Sequence, residues 1–359
     1  MRRIDLPTRH ASAVAVALGA LALTHPPGAR AQDPIKVVTS LSTYAAIARE
    51  IAGEKATVIS IGRGDENPHY VQPRPSFALQ LQRADLFVST GLDLELWVPA
   101  LLDKANNTKV NTGGPGNVTA YTGITLLEVP TSTSRSEGDI HAFGNPHIWS
   151  DPINGIIIGQ NITIGLKRVD PANAAYYQQS FDAWKDHLLR DLVGDSLVEL
   201  LGAETVFNLS NKGTFWDFIH KQTFKGRPLA ERLGGWLKEG EVFRGKTMVC
   251  YHKEWDYFTR RFDIPCVDFV EPKPGIPPTP GHVATLIQEI KEQHIPVVFT
   301  ANFYDQSQAK TIAGRTGATA VIVSANAGGA RHTDTYADLI SSWVNALADA
   351  FRGPVTGHP

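Results

Sequence analysis

The chain has 359 residues, a length typical of two domains or one large one. Hydrophobic residues make up 42% and charged residues 19%, and the formal net charge is -2. These are ordinary values for a globular protein with a substantial core. Because there is no basic surplus and no long run of like charges, the composition argues against a nucleic-acid partner.

The N-terminus is typical of a secretory signal. Three arginines within the first nine residues precede an apolar stretch at residues 11–23, and Ala29-Arg30-Ala31 supplies a small-residue cleavage site. We therefore predict a signal peptide over residues 1–31, cleavage near Ala31/Gln32, and a mature protein in the periplasm. The apolar stretch is too short to span a bilayer, so the protein is not expected to be membrane-embedded. No cysteine lies near the cleavage site, which argues against a lipid anchor.

From residue 35 onward, β-rich and helical segments alternate, which indicates βαβ units with a parallel sheet flanked by helices. The predicted strands are at residues 35–39, 56–61, 86–89, 247–250, 265–269, 297–299 and 320–323. The main predicted helices are at residues 44–51, 76–82, 152–168, 255–262, 283–293, 306–316 and 335–351. Residues 111–145 are rich in Gly, Thr and Ser and are predicted as loop, with one possible strand at 124–129.

A long helix is predicted between the two alternating regions. Asp170-Pro171 is typical of an N-cap followed by proline at the first helical position, and few helix breakers occur from there to about residue 201. We therefore predict an α/β fold of two lobes, each with a mainly parallel sheet flanked by helices, joined by one long rigid helix. The predicted boundaries are 32–169 for the N-terminal lobe, 170–201 for the helix and 202–359 for the C-terminal lobe.

The two cysteines, Cys250 and Cys266, are ambiguous. An exported protein encounters an oxidising compartment, which permits a bridge between them. However, Cys250 is predicted at the end of one strand and Cys266 at the start of the next. In parallel neighbours those positions lie at opposite edges of the sheet, which favours two buried free thiols.

Three of the twelve histidines lie where ligands bind in α/β proteins. His69 follows a turn-rich segment after the strand predicted at 56–61, His147 precedes a helix start, and His252 follows the strand predicted at 247–250. Open α/β sheets bind ligands outside the carboxyl ends of their strands. Imidazole suits zinc, copper, iron and nickel, so these histidines are candidate metal ligands. They form no local metal motif such as His-Glu-x-x-His.

The sequence around these histidines resembles the metal-specific substrate-binding proteins of bacterial ABC importers, which take up zinc or manganese. The run DENPHYVQPRPS at residues 65–76 is similar to the family's acidic-Pro-His-x-x-x-Pro-x-Pro-Ser segment. The run NPHIWSDP at 145–152 is similar to its Pro-His-x-Trp-x-Asp-Pro. The run YHKEWDYFTRRF at 251–262 is similar to its histidine followed by Tyr-Phe-x-x-Arg and an aromatic residue. The resemblance covers residues 35 to 351 and implies two lobes with metal held in the cleft between them.

The resemblance places His69, His147 and His252 on the family's first three ligand positions. The family's fourth ligand is a carboxylate on the last loop of the second lobe. Here that loop has no acidic residue, and Asn326 is the nearest match. Asp305 and a water molecule are the other candidates for the fourth position.

Two further residues bear on this site. Asn302 occupies a place where relatives often carry Glu. The family's flexible loop rich in His and Asp is missing, and His141 is the only histidine in the corresponding region; we interpret it as an ordinary loop residue rather than a metal-capturing one.

Residues 202–244 form a segment longer than in typical relatives.

The imidazole set favours Zn²⁺ over Mn²⁺, because manganese is harder and prefers carboxylate oxygens. The predicted function is periplasmic capture of a transition-metal ion, zinc first, and its delivery to an inner-membrane ABC permease by a monomer without catalysis. Two alternatives stay open. One is a zinc hydrolase with three histidines and a water, although no general base is placed beside them. The other is an extracytoplasmic metal chaperone or adhesin.

Overall fold

The computed structural model describes residues 33–130, 141–273 and 275–353. The predicted signal peptide lies outside the described residues, so the fold neither supports nor contradicts it. Among the described helices, none combines the length and the apolar character that a membrane-crossing segment requires.

The first sheet is built by four parallel strands in the order β2-β1-β3-β4. Its strands are β1 (Ile35–Thr39), β2 (Ala56–Ser60), β3 (Leu86–Ser89) and β4 (Asn117–Thr119). Its helices are α1 (Ser42–Ala52), α2 (Pro75–Gln82) and α3 (Val98–Ala105). Successive residues of β1 face opposite sides of the sheet: Val37 packs into one hydrophobic cluster and Val38 into another. Both faces are therefore covered, as in α/β proteins.

The second sheet is also parallel and has the order β10-β9-β7-β8. Its strands are β7 (Met248–Cys250), β8 (Cys266–Phe269), β9 (Val297–Ala301) and β10 (Thr319–Val323). Its helices are α10 (Asp256–Phe262), α11 (Pro280–Glu292), α12 (Gln306–Thr316) and α13 (Tyr336–Arg352). The inner faces of both sheets contribute to one continuous hydrophobic cluster, which contains Val37 of β1 and Phe299 of β9. The predicted α/β class with two parallel sheets is confirmed.

Helix α4 (Pro152–Val169) leads into the linking helix, which is 23 residues long when its first 3-10 turn, Pro171–Asn173, is included with α5 (Ala174–Val193). The predicted link between the lobes is thus present, but a single helix over 170–201 is wrong. Gly194 has a φ of 88°, which ends α5, and a separate helix α6 (Asp195–Leu201) follows. Glycine adopts such positive φ values without steric cost.

Between α6 and the second sheet, the chain forms a small helical segment with one antiparallel hairpin. Its elements are α7 (Ala203–Asn211), α8 (Phe215–Lys221), β5 (Thr223–Phe224), β6 (Arg227–Pro228) and α9 (Gly235–Glu239). In the first half of the chain, the possible strand at residues 124–129 is wrong, and β4 lies a few residues earlier in the predicted loop.

The predicted pair of free thiols is also wrong, because Cys250 and Cys266 form a disulfide with a Cα–Cα distance of 5.5 Å. The prediction assumed regular strands whose two ends lie far apart. In fact β7 has only three residues, and the register between β7 and β8 shifts between Met248 and Val249. Because β7 is so short, Cys250 lies only two positions from Met248, the residue paired with Cys266, and the two cysteines are within bridging distance.

Candidate metal centre

His69 lies in a single 3-10 turn, Pro68–Tyr70, that follows β2. The side-chain oxygen of Asn67 caps this turn by accepting a hydrogen bond of 3.0 Å from the backbone N–H of His69. The same oxygen lies 2.8 Å from Nδ1 of the His69 ring. The turn therefore fixes both the backbone and the ring of this histidine.

His147 is held by the same kind of turn. It is 2% exposed and stands directly before the 3-10 turn Ile148–Ser150 and helix α4. The Asn145 side-chain oxygen accepts from the His147 backbone N–H at 3.0 Å and lies 2.9 Å from its Nδ1. Each Asn-Pro-His run thus presents an imidazole with Nδ1 occupied and Nε2 directed away from the asparagine.

His252 comes from the second sheet, just beyond the carboxyl end of β7, and is 2% exposed. The ring of Tyr304, which follows β9, lies 6.1 Å from the His252 ring between centroids. Tyr304 in turn stacks on Tyr251 at 4.5 Å. The aromatic pair forms one wall beside this histidine.

The structure brings the three predicted histidines together from two lobes. The ring centroids of His69 and His147 are 5.2 Å apart, and that of His252 lies 6.4 Å from His69 and 6.0 Å from His147. His141 also joins this group. Its ring centroid is 5.1 Å from that of His69 and 5.8 Å from that of His147.

Three of the four rings bring their nitrogens close together. Nε2 of His69 lies 3.1 Å from Nε2 of His141. One nitrogen from each of His69, His141 and His147 lies within 4.8 Å of the others, a spacing that can hold a metal ion, while His252 stands just outside this tighter group. Three imidazoles from the first half of the chain therefore face a fourth from the second half.

Two buried ring nitrogens at the centre have no hydrogen-bond partner among the residues that the structure describes. They are Nε2 of His147 and Nδ1 of His252. Leaving a buried polar atom unpaired costs about 1–3 kcal/mol. A bound cation would use these lone pairs, so the donor set fits a metal ion.

Three histidines of the cluster have lowered pKa values, which favours binding of a cation. Burial, and then the neighbouring His141 and His252 rings, lower the pKa of His69 well below its ordinary value. Burial, followed by the neighbouring imidazoles, does the same to the pKa of His147. Burial lowers the pKa of His252 to about 4 against an opposing contribution from the backbone of Glu271. Neutral imidazole is the form that binds metals, so at neutral pH a metal displaces no proton from these rings.

Two residues considered near the fourth ligand position make contacts of their own. Asp305 is exposed and caps α12, accepting from the backbone N–H of Ser307 at 2.9 Å. Asn302 donates to the backbone oxygen of Gly329 at 2.9 Å. Asp305 does not belong to the histidine group among the described residues.

Asn326 is buried at the contact between the lobes. Its side-chain oxygen accepts from the Thr43 hydroxyl of α1 at 3.1 Å, and that hydroxyl accepts from the Ala327 backbone N–H at 3.1 Å. The neighbouring carbonyl of Ala325 accepts from the indole of Trp149 at 2.8 Å. The loop that carries the family's carboxylate ligand here joins the two lobes by hydrogen bonds.

His141 is the residue that sequence reasoning undervalued. It was predicted to be an ordinary loop histidine, and the structure places its ring beside His69 and His147. Its position six residues before His147 was the available signal, because a short loop cannot carry a side chain far from its anchor.

Comparison with known proteins agrees with this architecture. The chain is a metal-binding, substrate-binding protein of the kind that serves ABC importers, and it belongs to the family described as zinc-uptake complex component A, periplasmic. The family's sequence profile matches residues 37–190 and 231–350. Residues 191–230, which include α6 to α8 and the hairpin, lie between the matched stretches.

Individual relatives differ in the metal that their names state. The chain is 25% identical over 304 residues to the manganese ABC transporter substrate-binding lipoprotein PsaA of Streptococcus pneumoniae, covering 83% of this chain and 82% of that protein. It is 26% identical over 320 residues to the iron-binding protein YfeA of Yersinia pestis, covering 88% of this chain and 86% of that one. A crystal structure of ZnuA superposes with a TM-score of 0.65 at 19% identity, covering 89% of this chain and all of that chain. The last comparison supports the fold alone.

Proposed function

We propose that this chain captures one zinc ion with His69, His147 and His252 in the cleft between its lobes, and delivers it to an ABC permease of the inner membrane. The observation that carries this proposal is the convergence of these imidazoles on a buried point where two ring nitrogens have no partner among the described residues. The proposed role is binding and transfer, with no chemical step.

Zinc is preferred to manganese or iron because of the donor atoms. No carboxylate belongs to the described histidine group, and the additional side chain in that group, His141, is another imidazole. Manganese favours oxygen ligands and stands low in the Irving–Williams order, whereas zinc accepts nitrogen ligands in tetrahedral sites. The manganese and iron relatives show that the fold alone does not decide the metal. Copper and nickel would also bind such a site in vitro.

We further propose that His141 completes a tetrahedral set of four imidazoles. Its Nε2 already lies 3.1 Å from that of His69, so a small rotation of either ring would place both around one ion. A fourth protein ligand would replace the open, water-filled position that three histidines alone would leave.

Capture across the cleft requires that the lobes act together. His69, His141 and His147 belong to the first half of the chain and His252 to the second. An ion bound to both halves would hold them together, and the permease would receive this closed form.

We propose lobes at residues 32–169 and 202–359, because β1–β4 lie within the first range and β7–β10 within the second. We also propose export to the periplasm and a monomeric state.

A competition titration with a chromophoric zinc chelator tests the site. His147→Ala should weaken zinc binding sharply, because it removes a buried imidazole whose Nε2 has no other partner among the described residues. His141→Ala should weaken it less, because the three proposed primary ligands, His69, His147 and His252, all remain. His187→Ala is the matched control, since this histidine lies on α5 with 69% of its side chain exposed. Unchanged zinc affinity in His147→Ala would overturn the site.

Thermal unfolding of metal-free protein tests the choice of metal. A ligand that binds only the folded state raises the melting temperature. Zinc at a small molar excess should raise it, and Mn²⁺ in large excess should leave it near the metal-free value. An equal rise with Mn²⁺ would overturn the zinc assignment while leaving the metal site intact.

A further inference from the structure

Asn145 lies in a loop, and its hydrogen bonds reach both lobes. Its side-chain oxygen faces His147, as described above. Its side-chain nitrogen donates to the backbone oxygen of Lys253 at 2.8 Å, to the Asp256 carboxyl group at 2.8 Å and to the Glu128 carboxylate at 3.4 Å. Its own backbone oxygen accepts from the Tyr257 hydroxyl at 2.8 Å.

We propose that Asn145 is a positioning residue with two roles: it fixes the tautomer of His147, and it holds the main chain next to His252 at the correct distance across the cleft. This inference rests on the proposed metal site and names what organises it. Supporting residues around metal ligands typically change affinity by about 10- to 100-fold when mutated.

The first role follows from hydrogen-bond chemistry alone. A backbone N–H only donates, so the Asn145 atom that faces the His147 N–H must be the amide oxygen. The other end of the same amide faces the Lys253 carbonyl, which only accepts, and must therefore be the NH₂ group. Both ends give the same orientation of the amide.

The oxygen so placed determines where the proton of His147 lies. It is 2.9 Å from Nδ1, and an amide oxygen only accepts, so Nδ1 must carry the hydrogen. The lone pair of the neutral ring is then on Nε2, the buried atom that has no partner among the described residues. Asn145 thus aims the metal-binding electron pair of His147 into the cluster.

The second role separates Asn145 from Asn67, which otherwise makes the same contacts. Within the described part of the chain, the Asn67 side chain hydrogen-bonds only to His69, in its own turn. The Asn145 side chain also reaches the Lys253 carbonyl, one residue after His252. One amide therefore contacts the turn of His147 in the first lobe and the chain that carries His252 in the second.

The experiment combines nitrogen-15 NMR of the histidine rings in the metal-free protein with zinc competition titrations. In wild type, the signals should identify His147 as the tautomer with hydrogen on Nδ1. Asn145→Ala should allow the other tautomer to appear and weaken zinc binding by about 10- to 100-fold. Asn67→Ala, the matched control, should alter the tautomer of His69 and leave that of His147 unchanged.

Asn145→Asp separates the two roles. A carboxylate still accepts from Nδ1, so the tautomer of His147 should persist, but it cannot donate to Lys253, so zinc affinity should still fall. Retention of full zinc affinity in Asn145→Asp would overturn the role across the cleft. Hydrogen on Nε2 of His147 in metal-free wild type would overturn the tautomer role, with no variant needed. If wild type instead fails to bind zinc, the proposed function fails, and the NMR result still decides the tautomer.

Discussion

The guanidinium of Arg261 in α10 donates two parallel hydrogen bonds to the carboxylate of Asp151, from Nε to Oδ1 at 2.9 Å and from Nη2 to Oδ2 at 2.8 Å. Asp151 also caps α4, accepting from the Ile153 backbone N–H at 2.8 Å. The third guanidinium nitrogen donates to the backbone oxygen of Ser210 in α7 at 2.8 Å. One side chain therefore joins the second lobe and α7 to Asp151, the N-cap of α4, four residues after His147.

We expect Arg261→Ala to destabilise the fold strongly. The side chains of Arg261 and Asp151 are only 14% and 11% exposed, so removing one partner leaves a nearly buried charge unpaired. Such losses cost about 3–5 kcal/mol in the free energy of unfolding. Arg261→Lys should recover part of this, because an ammonium cannot form the two parallel bonds. Urea denaturation measures both changes.

An exposed ion pair supplies the control for this prediction. Lys221 and Asp217 are bonded at 2.8 Å within α8, with 72% and 75% of their side chains exposed. Lys221→Ala should leave the urea midpoint almost unchanged, because exposed pairs contribute little. Equal destabilisation by Lys221→Ala and Arg261→Ala would contradict the importance given to the buried pair.

Asn326 is predicted to stabilise the lobe contact rather than to bind metal. Asn326→Ala removes the acceptor for the Thr43 hydroxyl and should lower the free energy of unfolding by about 1 kcal/mol. Zinc affinity in the competition titration should change little. Thr43→Val, which removes the other partner, should destabilise similarly without altering affinity. A loss of about tenfold or more in zinc affinity, equivalent to about 1.4 kcal/mol, would make Asn326 a ligand.

The disulfide is predicted to contribute substantially to stability. Cys250 and Cys266 are 16 residues apart in sequence, and closing a loop of this size stabilises a fold by about 3 kcal/mol. Reduction, or replacement of both cysteines by serine, should lower the free energy of unfolding by about this amount in urea titrations. The double serine variant should not respond to reductant. Identical urea curves for oxidised and reduced wild type would refute the prediction.

The sequence predicted the parts of the fold that depend on local patterns. Alternating strands and helices indicated both parallel sheets, and the three histidines were identified because each adjoins a strand end or a helix start. The short strand β4 was missed because only its middle residue, Val118, is buried, which leaves almost no hydrophobic signal. Gly194 was overlooked because a single glycine does not show from sequence that its φ is positive.

What the sequence could not show depends on contacts between distant segments. The length of β7 and its register with β8 are fixed only in the folded chain, so the pairing of the cysteines was not visible from sequence. The approach of His141 to His69 joins residues 72 positions apart. The hydrogen bond of Asn326 to Thr43 spans 283 positions, and only the folded chain shows that this loop joins the lobes.

The free energy of unfolding should depend on pH through Asp256, which hydrogen-bonds to the side chain of Asn145. Burial, and then hydrogen bonding and repulsion from Glu128, raise the pKa of Asp256 from its ordinary 3.8 to about 8. Between about pH 4 and pH 8 the folded state therefore holds a proton that the unfolded state has released, so this group's contribution to stability falls as pH rises. Burial alone would also raise the pKa of Glu128, but hydrogen bonding to Asp256 and the nearby Lys253 lower it instead.

Asp256→Asn isolates this effect, because the amide keeps the shape of the side chain and cannot titrate. In metal-free protein, the unfolding free energy of the variant relative to wild type should rise steadily from about pH 5 to about pH 8. The histidine cluster is present in both proteins, so its titration cancels in the difference. Urea titrations across this range measure it, with Asp217→Asn on the exposed face of α8 as the control. If the difference in unfolding free energy stays constant with pH, Asp256 is ionised in the folded protein and shares no proton with Glu128.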